Sequence, residues 1–207
     1  GSQGQLDMVT DMKTILALSF FISLSAGAEA SEYHVDKAAA NLVKFISDAP
    51  IEDFEGITDR IDGYVLFVKE HLAPGNDFDS SEVYFEVELN GLDTGIGLRN
   101  RHMRENYLET DIFPYAVFEG RLASVNEKSP GKFDVVTEGL MKIHGVEQTV
   151  SFDGTVMSDG NGYRVNYDFT VKLSDYNIEI PSLMFMKINE IIQIKLDFYV
   201  RLYEGGN

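Results

Sequence analysis

The chain of 207 residues contains no cysteine. That excludes a disulfide framework, thiol catalysis and thiolate metal sites together. Positive charge is scarce as well: 17 Lys and Arg stand against 34 Asp and Glu, for a net charge of −17. A surface so acidic repels phosphate backbones and anionic membrane faces, so no nucleic-acid partner is expected and charge supplies solubility. Histidine is limited to His34, His71, His102 and His144, and none of these makes an H-x-x-x-H or H-E-x-x-H spacing. No G-x-S-x-G elbow, phosphate-cradling glycine loop or dinucleotide fingerprint occurs. Carboxylates are so abundant that a chance pair carries little information. The expectation is a protein that is not an enzyme, with no catalytic residues, no metal and no cofactor. Internal repeats, low-complexity tracts and interdomain linkers are also missing.

Long apolar runs are confined to the N-terminus. Met12-Lys13 gives a positive start, Ile15 to Leu24 an apolar stretch, and Ala28-Glu29-Ala30 an A-x-A end. Residues 12–30 therefore read as a secretory signal peptide, too short for a spanning helix, which takes about 20 apolar residues. No stable membrane insertion is expected. Residues 1–11 read as an expression or gene-assignment remnant, and residues 31–207 as one mature domain. An exported domain without disulfides must be held by its core, which suits a bacterial periplasm.

From residue 33 onward the dominant period is two. Ile192, Ile194, Leu196, Phe198, Val200 and Leu202 alternate with polar or amphipathic neighbours, giving one greasy and one wet face. Val83 to Leu89 and Tyr163 to Leu173 alternate in the same way. Asn41–Ser47, Ile61–Lys69, Ala116–Val125, Phe133–His144 and Gln148–Met157 complete eight predicted strands. Turns fall at Ala73-Pro74-Gly75-Asn76, Ser129-Pro130-Gly131 and Ser158-Asp159-Gly160-Asn161-Gly162. Eight amphipathic antiparallel strands are best satisfied by closing the sheet into a barrel, which removes both edges; a two-sheet sandwich competes. The expected class is all-β, with one short helical insert. Gly97 to Thr110 lacks the alternation and predicts a short helix and loop ending before Pro114, with Asn100 as its cap.

The inward positions are rich in aromatics. Phe45, Phe67, Phe85, Val87, Phe113, Phe118, Phe152, Phe169, Met184, Phe185, Ile194, Leu196 and Phe198 are the candidate lining of a ligand tunnel. On periodicity alone such residues read as packed core. The second reading splays the strands around a cavity, as eight-stranded barrels can do. Ile180-Pro181-Ser182-Leu183-Met184-Phe185-Met186 is an odd apolar loop, suited to plug the barrel's end or to line an entrance with adaptable methionines.

Three ordered stretches carry a resemblance. Leu92-Asp93-Thr94-Gly95 followed by Arg99-Asn100-Arg101-His102-Met103 is one. Phe113-Pro114-Tyr115-Ala116-Val117-Phe118 is the second, and Glu138-Gly139-Leu140-Met141-Lys142-Ile143-His144-Gly145-Val146 the third. With Tyr33-His34-Val35-Asp36 at the start, they resemble the YceI-like family of exported polyisoprenoid-binding proteins over residues 33 to 203. The resemblance implies a lipocalin-like, eight-stranded antiparallel barrel around a hydrophobic tunnel. It also implies a long-chain lipid ligand, whether isoprenoid, quinone or fatty-acyl, and no catalytic set. One stretch departs from the pattern. Leu173-Ser174-Asp175-Tyr176-Asn177-Ile178 lacks the Arg and Gly of the family's "RsdFGi" run, which bears on ligand choice, and Asn100 stands where many members carry Asp. Arg99, His102 and Arg104 are the candidates to face a head group, against the plain reading of a solvated helix face. A carrier of a long-chain lipid is the leading expectation. The alternatives are a stress-response or structural partner with a filled core, and a redox protein or enzyme holding a lipid-like cofactor. The outward tyrosines Tyr84 and Tyr199 leave a homodimer open.

Overall fold

The computed structural model describes residues 29–49, 53–183 and 186–205. The expected signal peptide and most of the N-terminal segment lie outside them. Twelve strands form in order: β1 (Ser31–Val35), β2 (Leu42–Ser47), β3 (Phe54–Thr58), β4 (Ile61–Phe67), β5 (Glu82–Glu88), β6 (Tyr115–Ser129), β7 (Lys132–Ile143), β8 (Val146–Asp159), β9 (Gly162–Lys172), β10 (Ser182–Leu183), β11 (Met186–Lys187) and β12 (Ile191–Leu202). One α-helix, α1 (Gly97–His102), precedes a single wide helical turn at Met103–Tyr107.

All but the short β10–β11 hairpin join one antiparallel sheet that closes on itself. β1 and β2 share one position beside β12. Tyr33 to Val35 lie opposite Leu202 to Val200, and Leu42 to Ser47 opposite Asp197 to Ile192. β4 then pairs with β1 and β5, while β3 pairs with β2. The two N-terminal staves are thus each broken in the middle, and the barrel has eight staves joined as an up-and-down meander. Closure leaves the long strands no bare edge, which is how antiparallel sheets avoid edge-to-edge association. Within the barrel, β1 and β3 are the two strands the alternation does not predict, and β10 and β11 form where an apolar loop is expected. β1 and β3 are each only five residues long, and Gly56 interrupts the apolar alternation of β3.

Turn chemistry follows the residues available. His144 (φ 51°) and Gly145 (φ 75°) form a two-residue turn between β7 and β8, with both residues at positive φ as that tight turn requires. Gly131 and Gly160 supply the positive φ of the hairpins on either side, β6–β7 and β8–β9.

One end of the barrel is solid. The inward faces of β6, β7, β9 and β12 bring Val125, Val135, Val165, Phe198 and Val200 together with Tyr33 and Phe67. The β4–β5 connection, residues 68–81, folds back beneath them as a plug. Phe78 packs edge-on against Phe67 (6.4 Å), and Phe67 stacks on Tyr33 (5.7 Å). The plug's polar groups are satisfied locally. Leu72 N–H donates to Tyr163 Oη (3.0 Å), Leu122 N–H to Ser81 Oγ (2.9 Å), and Gly75 exchanges two backbone bonds with Val125.

The predicted helix forms, but Asn100 is not its cap. α1 starts after Ile96, and Asn100 lies inside it. The Asn100 side chain reaches back to the preceding loop. It accepts from Thr94 N–H (2.8 Å) and Thr94 Oγ1 (2.7 Å), and donates to Asp93 Oδ1 (2.7 Å). The outward tyrosines are engaged within the chain. Tyr84 Oη donates to Glu86 and its ring stacks on Tyr64, while Tyr199 lies beneath the guanidinium groups of Arg164 and Arg201.

Candidate functional site

Beyond Phe198 the same inward faces stop meeting each other. They enclose a cavity of ≈ 590 Å³. Phe85 forms its floor, edge-on to Phe198 at 5.0 Å. β12 contributes Ile192, Ile194 and Leu196 to one wall, and β9 adds Phe169 and Val171. Phe45 of β2, Val87 of β5 and Phe118 of β6 complete the girth. At the mouth stand Leu98, Arg99, His102 and Met103 on one side and Leu173, Ile178, Pro181 and Ser182 on the other.

Of the candidate lining, Phe45, Phe85, Val87, Phe118, Phe169, Ile194 and Leu196 come together in this wall. Four others do not. Phe198 is 1% exposed and Phe67 2% exposed, both consumed by the solid end because the plug fills the space beneath them. Phe113 sits on the β7–β8 turn against His144 (4.7 Å), where the absence of a side chain on Gly145 gives its ring room. Phe152 lies one layer behind the wall, between Phe118 (6.1 Å) and Phe169 (4.1 Å). Met184 and Phe185 lie outside the described residues. Phe54, Leu89, Leu92 and Ile178 belong to the wall without having been candidates. Phe54 falls on the overlooked β3 and Leu92 and Ile178 in loops, where period two gives no signal, whereas Leu89 continues the alternation of β5.

The wall has a seam. β8 and β9 are paired from Asp159–Gly162 up to Gly154–Tyr167 and no further. Tyr167 marks the end, its ring laid across Gly154 and its hydroxyl bonded to Thr137. Burial pushes the Tyr167 hydroxyl up to about 12. Past that point the strands diverge, and the gap is filled by side chains. Phe152 covers Phe169, and the turn at Leu173–Tyr176 brings Tyr176 and Ile178 in against Met141 and Val171. Asn177 makes this turn possible by adopting φ 53°, the left-handed region that Asn tolerates best after Gly. The Gly missing from the family pattern is therefore replaced by a residue that keeps the bend. Leu173, standing where the pattern has Arg, presents hydrocarbon to the cavity.

The mouth is tied by polar contacts. β3 has a free edge there, and Asp93 occupies it by exchanging two backbone bonds with Ile57 (3.0 and 2.9 Å). The Asn100 amide and the Gly95 N–H hold the Asp93 carboxyl below the usual carboxylate range. Across the mouth His144 bridges Glu109 (2.6 Å) and the Tyr176 carbonyl (3.2 Å), joining the segment after α1 to the seam-filling turn.

The three head-group candidates separate. Arg99 lies on the rim with its guanidinium 4.6 Å over the Phe54 ring, and is steadied by Thr94 Oγ1 (3.0 Å) and Thr94 O (2.9 Å). His102 is exposed on the same rim. Arg104 is outside the wall, because its Nη2 is committed to the Leu92 carbonyl (3.0 Å). Beneath the rim Ser47, opposite Ile192 of β12 and Phe54 of β3, is fully buried among wall residues, and its hydroxyl has no partner among the described residues. The arrangement offers a largely apolar bore with a polar rim and a partnerless hydroxyl at Ser47.

A family model described as a YceI-like domain matches residues 33–200. Among solved structures, the fold is similar to that of BcnA from Burkholderia cenocepacia, at 18% identity and a TM-score of 0.63, covering 80% of this chain and 98% of that one. It is also similar to a polyisoprenoid binding domain from Saccharophagus degradans implicated in plant cell wall breakdown, at 15% identity and a TM-score of 0.61 over 84% of this chain and 100% of that one. At these identities the likeness concerns the fold. No curated protein sequence gives a significant match.

Proposed function

The chain belongs to the YceI-like domain family, and from that premise we propose that it is a periplasmic carrier of a long-chain lipid, an isoprenoid, quinone or fatty-acyl chain held in the bore. It binds and does not catalyse. The observation that carries this reading is the apolar cavity itself. Left empty, ≈ 590 Å³ of apolar space forgoes on the order of 10 kcal/mol of packing, comparable with the whole stability of a domain. A fold with a merely structural role gains nothing from that sacrifice, so the filled-core alternative loses ground. A lipid tail recovers the loss, since each buried CH2 is worth ~0.8 kcal/mol before ordering costs are subtracted. The related domain from Saccharophagus degradans is described as polyisoprenoid binding, which favours the same ligand class.

Specificity would come from the length and bends of the bore, because a hydrocarbon tail offers no hydrogen bonds. Arg99 and His102 on the rim are placed to meet a polar head, and Leu173 adds apolar wall opposite them. The experiment is native mass spectrometry of protein isolated from a bacterial host without detergent, followed by organic extraction. A stoichiometric adduct that extracts as an isoprenoid, quinone or acyl chain is expected. A bare polypeptide mass after such mild handling would overturn the carrier reading.

A further inference from the structure

The mouth of the cavity has a surface unlike the rest of the molecule. Residues 94–104 contain three arginines and no acid, in a chain where acids outnumber bases two to one. Of the seven arginines, Arg60, Arg121, Arg164 and Arg201 are each paired with a carboxylate. Arg99, Arg101 and Arg104 have no acidic partner among the described residues. Arg101 and His102 point outward from α1, and large apolar side chains stand exposed around them. Ile112 is 66%, Leu98 55% and Ile96 52% exposed, with Tyr115 and Ile57 on the same end. Exposed acids also border this end: Asp93, which is turned back onto Asn100 and Gly95, Glu105 and Asp111 near α1, and Asp53, Glu55, Asp175 and Glu179 beside Phe54 and along the turn after β9. The opposite end carries Glu70, Asp77, Asp79 and Glu127 exposed around the plug.

Exposed apolar side chains interleaved with cations, at the mouth of an apolar bore, have the chemistry of a surface that rests in a lipid interface. We propose that this end of the protein docks on an anionic bilayer, α1 foremost, so that the mouth opens toward acyl chains and the ligand passes without crossing water. The proposal rests on the carrier reading. The acids of the plug end do not oppose it. β12 alone spans twelve residues, about 40 Å at ~3.3 Å per residue, so the plug's acids lie several Debye lengths of ~8 Å from a surface touching α1. That charge keeps the other faces away and fixes the approach.

The absence of cysteine makes the test clean. An environment-sensitive dye is attached at Ile112→Cys and, in a second preparation, at Val68→Cys on the plug end, both in the full chain. Each is titrated with vesicles of 30% phosphatidylglycerol in phosphatidylcholine and with pure phosphatidylcholine. The expected result is a blue-shifted, brighter emission at position 112 with anionic vesicles and none at position 68. Arg101→Glu in the 112-labelled protein should weaken the apparent partition roughly thirtyfold, since each basic residue near an anionic surface is worth about 1 kcal/mol and reversal counts twice. Equal response at both positions, no response at 112, or no effect of Arg101→Glu would overturn the docking. Native mass spectrometry of the same labelled samples separates the two readings. Lipid-loaded protein that ignores vesicles overturns the docking alone, and docking by protein that carries no lipid overturns the carrier alone.

Discussion

The two ends of this barrel are built from the same strands and the same residue types, yet one is solid and the other hollow. Along β12 the inward side chains run Ile192, Ile194, Leu196, Phe198, Val200 without a change of character. The first three face the cavity and the last two are among the most deeply buried residues in the chain. What differs lies elsewhere in sequence. The solid end has a plug, residues 68–81, that brings Phe78 and Leu72 into the core and pairs Gly75 with Val125 of β6 where β5 has ended. The hollow end has a seam between β8 and β9, a lip made by β3, and a helix that skirts the opening. Hollowness is thus a property of the loops and of where pairing stops.

Substitutions at matched positions probe this directly. Phe198→Ala should cost ~3–5 kcal/mol, as expected for deleting a fully packed ring, while Ile194→Ala should cost less than ~2 kcal/mol because its side chain has partners on one side only. Urea midpoints of the lipid-free protein check both. Equal losses would mean that the cavity closes in solution. The opposite change sharpens the contrast. Val125→Trp forces a large ring into the filled end and should destabilise by ~1–3 kcal/mol. Ala116→Trp places the same ring in the bore, so stability should hold while the lipid adduct disappears from native mass spectra. A loaded Ala116→Trp protein would place the ligand elsewhere.

The sequence made the staves legible and left the difference between the ends illegible. Period two assigns Phe85, Phe169 and Phe198 to the same inward face, and nothing in that pattern says that the first two bound empty space and the third does not. The decision depends on Phe78, more than a hundred residues from Phe198 along the chain. Short range also misled at Asn100, whose position before a run of helix formers suggests a cap. In the fold its amide finds better partners in Thr94 and Asp93. Family likeness supplied what periodicity lacked, and its one departure proved informative. Asn177 keeps the bend that the pattern's Gly would make, while Leu173 exchanges a charge for wall.

Acid should loosen the hollow end before the solid one. The Asp93 carboxyl is held below its ordinary range by Asn100 and the Gly95 N–H, so the contact contributes fully above the unfolded value of about 4 and is lost as pH falls through the lower folded value. Asp93 also carries the backbone bonds that secure the β3 lip. Hydrogen exchange at the Ile57 amide should therefore accelerate below roughly pH 4 while the Phe198 amide, in the paired centre of β12, stays protected. Synchronous loss at both amides would show that the two ends unfold as one unit.

The smallest effect expected is at Ser47, and its sign is the interesting part. A buried hydroxyl without a partner costs ~1–3 kcal/mol of desolvation, so Ser47→Ala should leave the lipid-free protein unchanged or stabilise it by about 1 kcal/mol. Almost any other buried Ser would behave oppositely. A clear loss of stability in the lipid-free protein would show that the hydroxyl has a partner after all. The same substitution in lipid-loaded protein reads something different. If the natural ligand has a polar atom at that depth, Ser47→Ala lowers the loaded protein's midpoint while sparing the empty one. If the tail is hydrocarbon throughout, both midpoints move together. The partnerless Ser47 hydroxyl therefore reports whether the ligand is plain hydrocarbon where it passes β2.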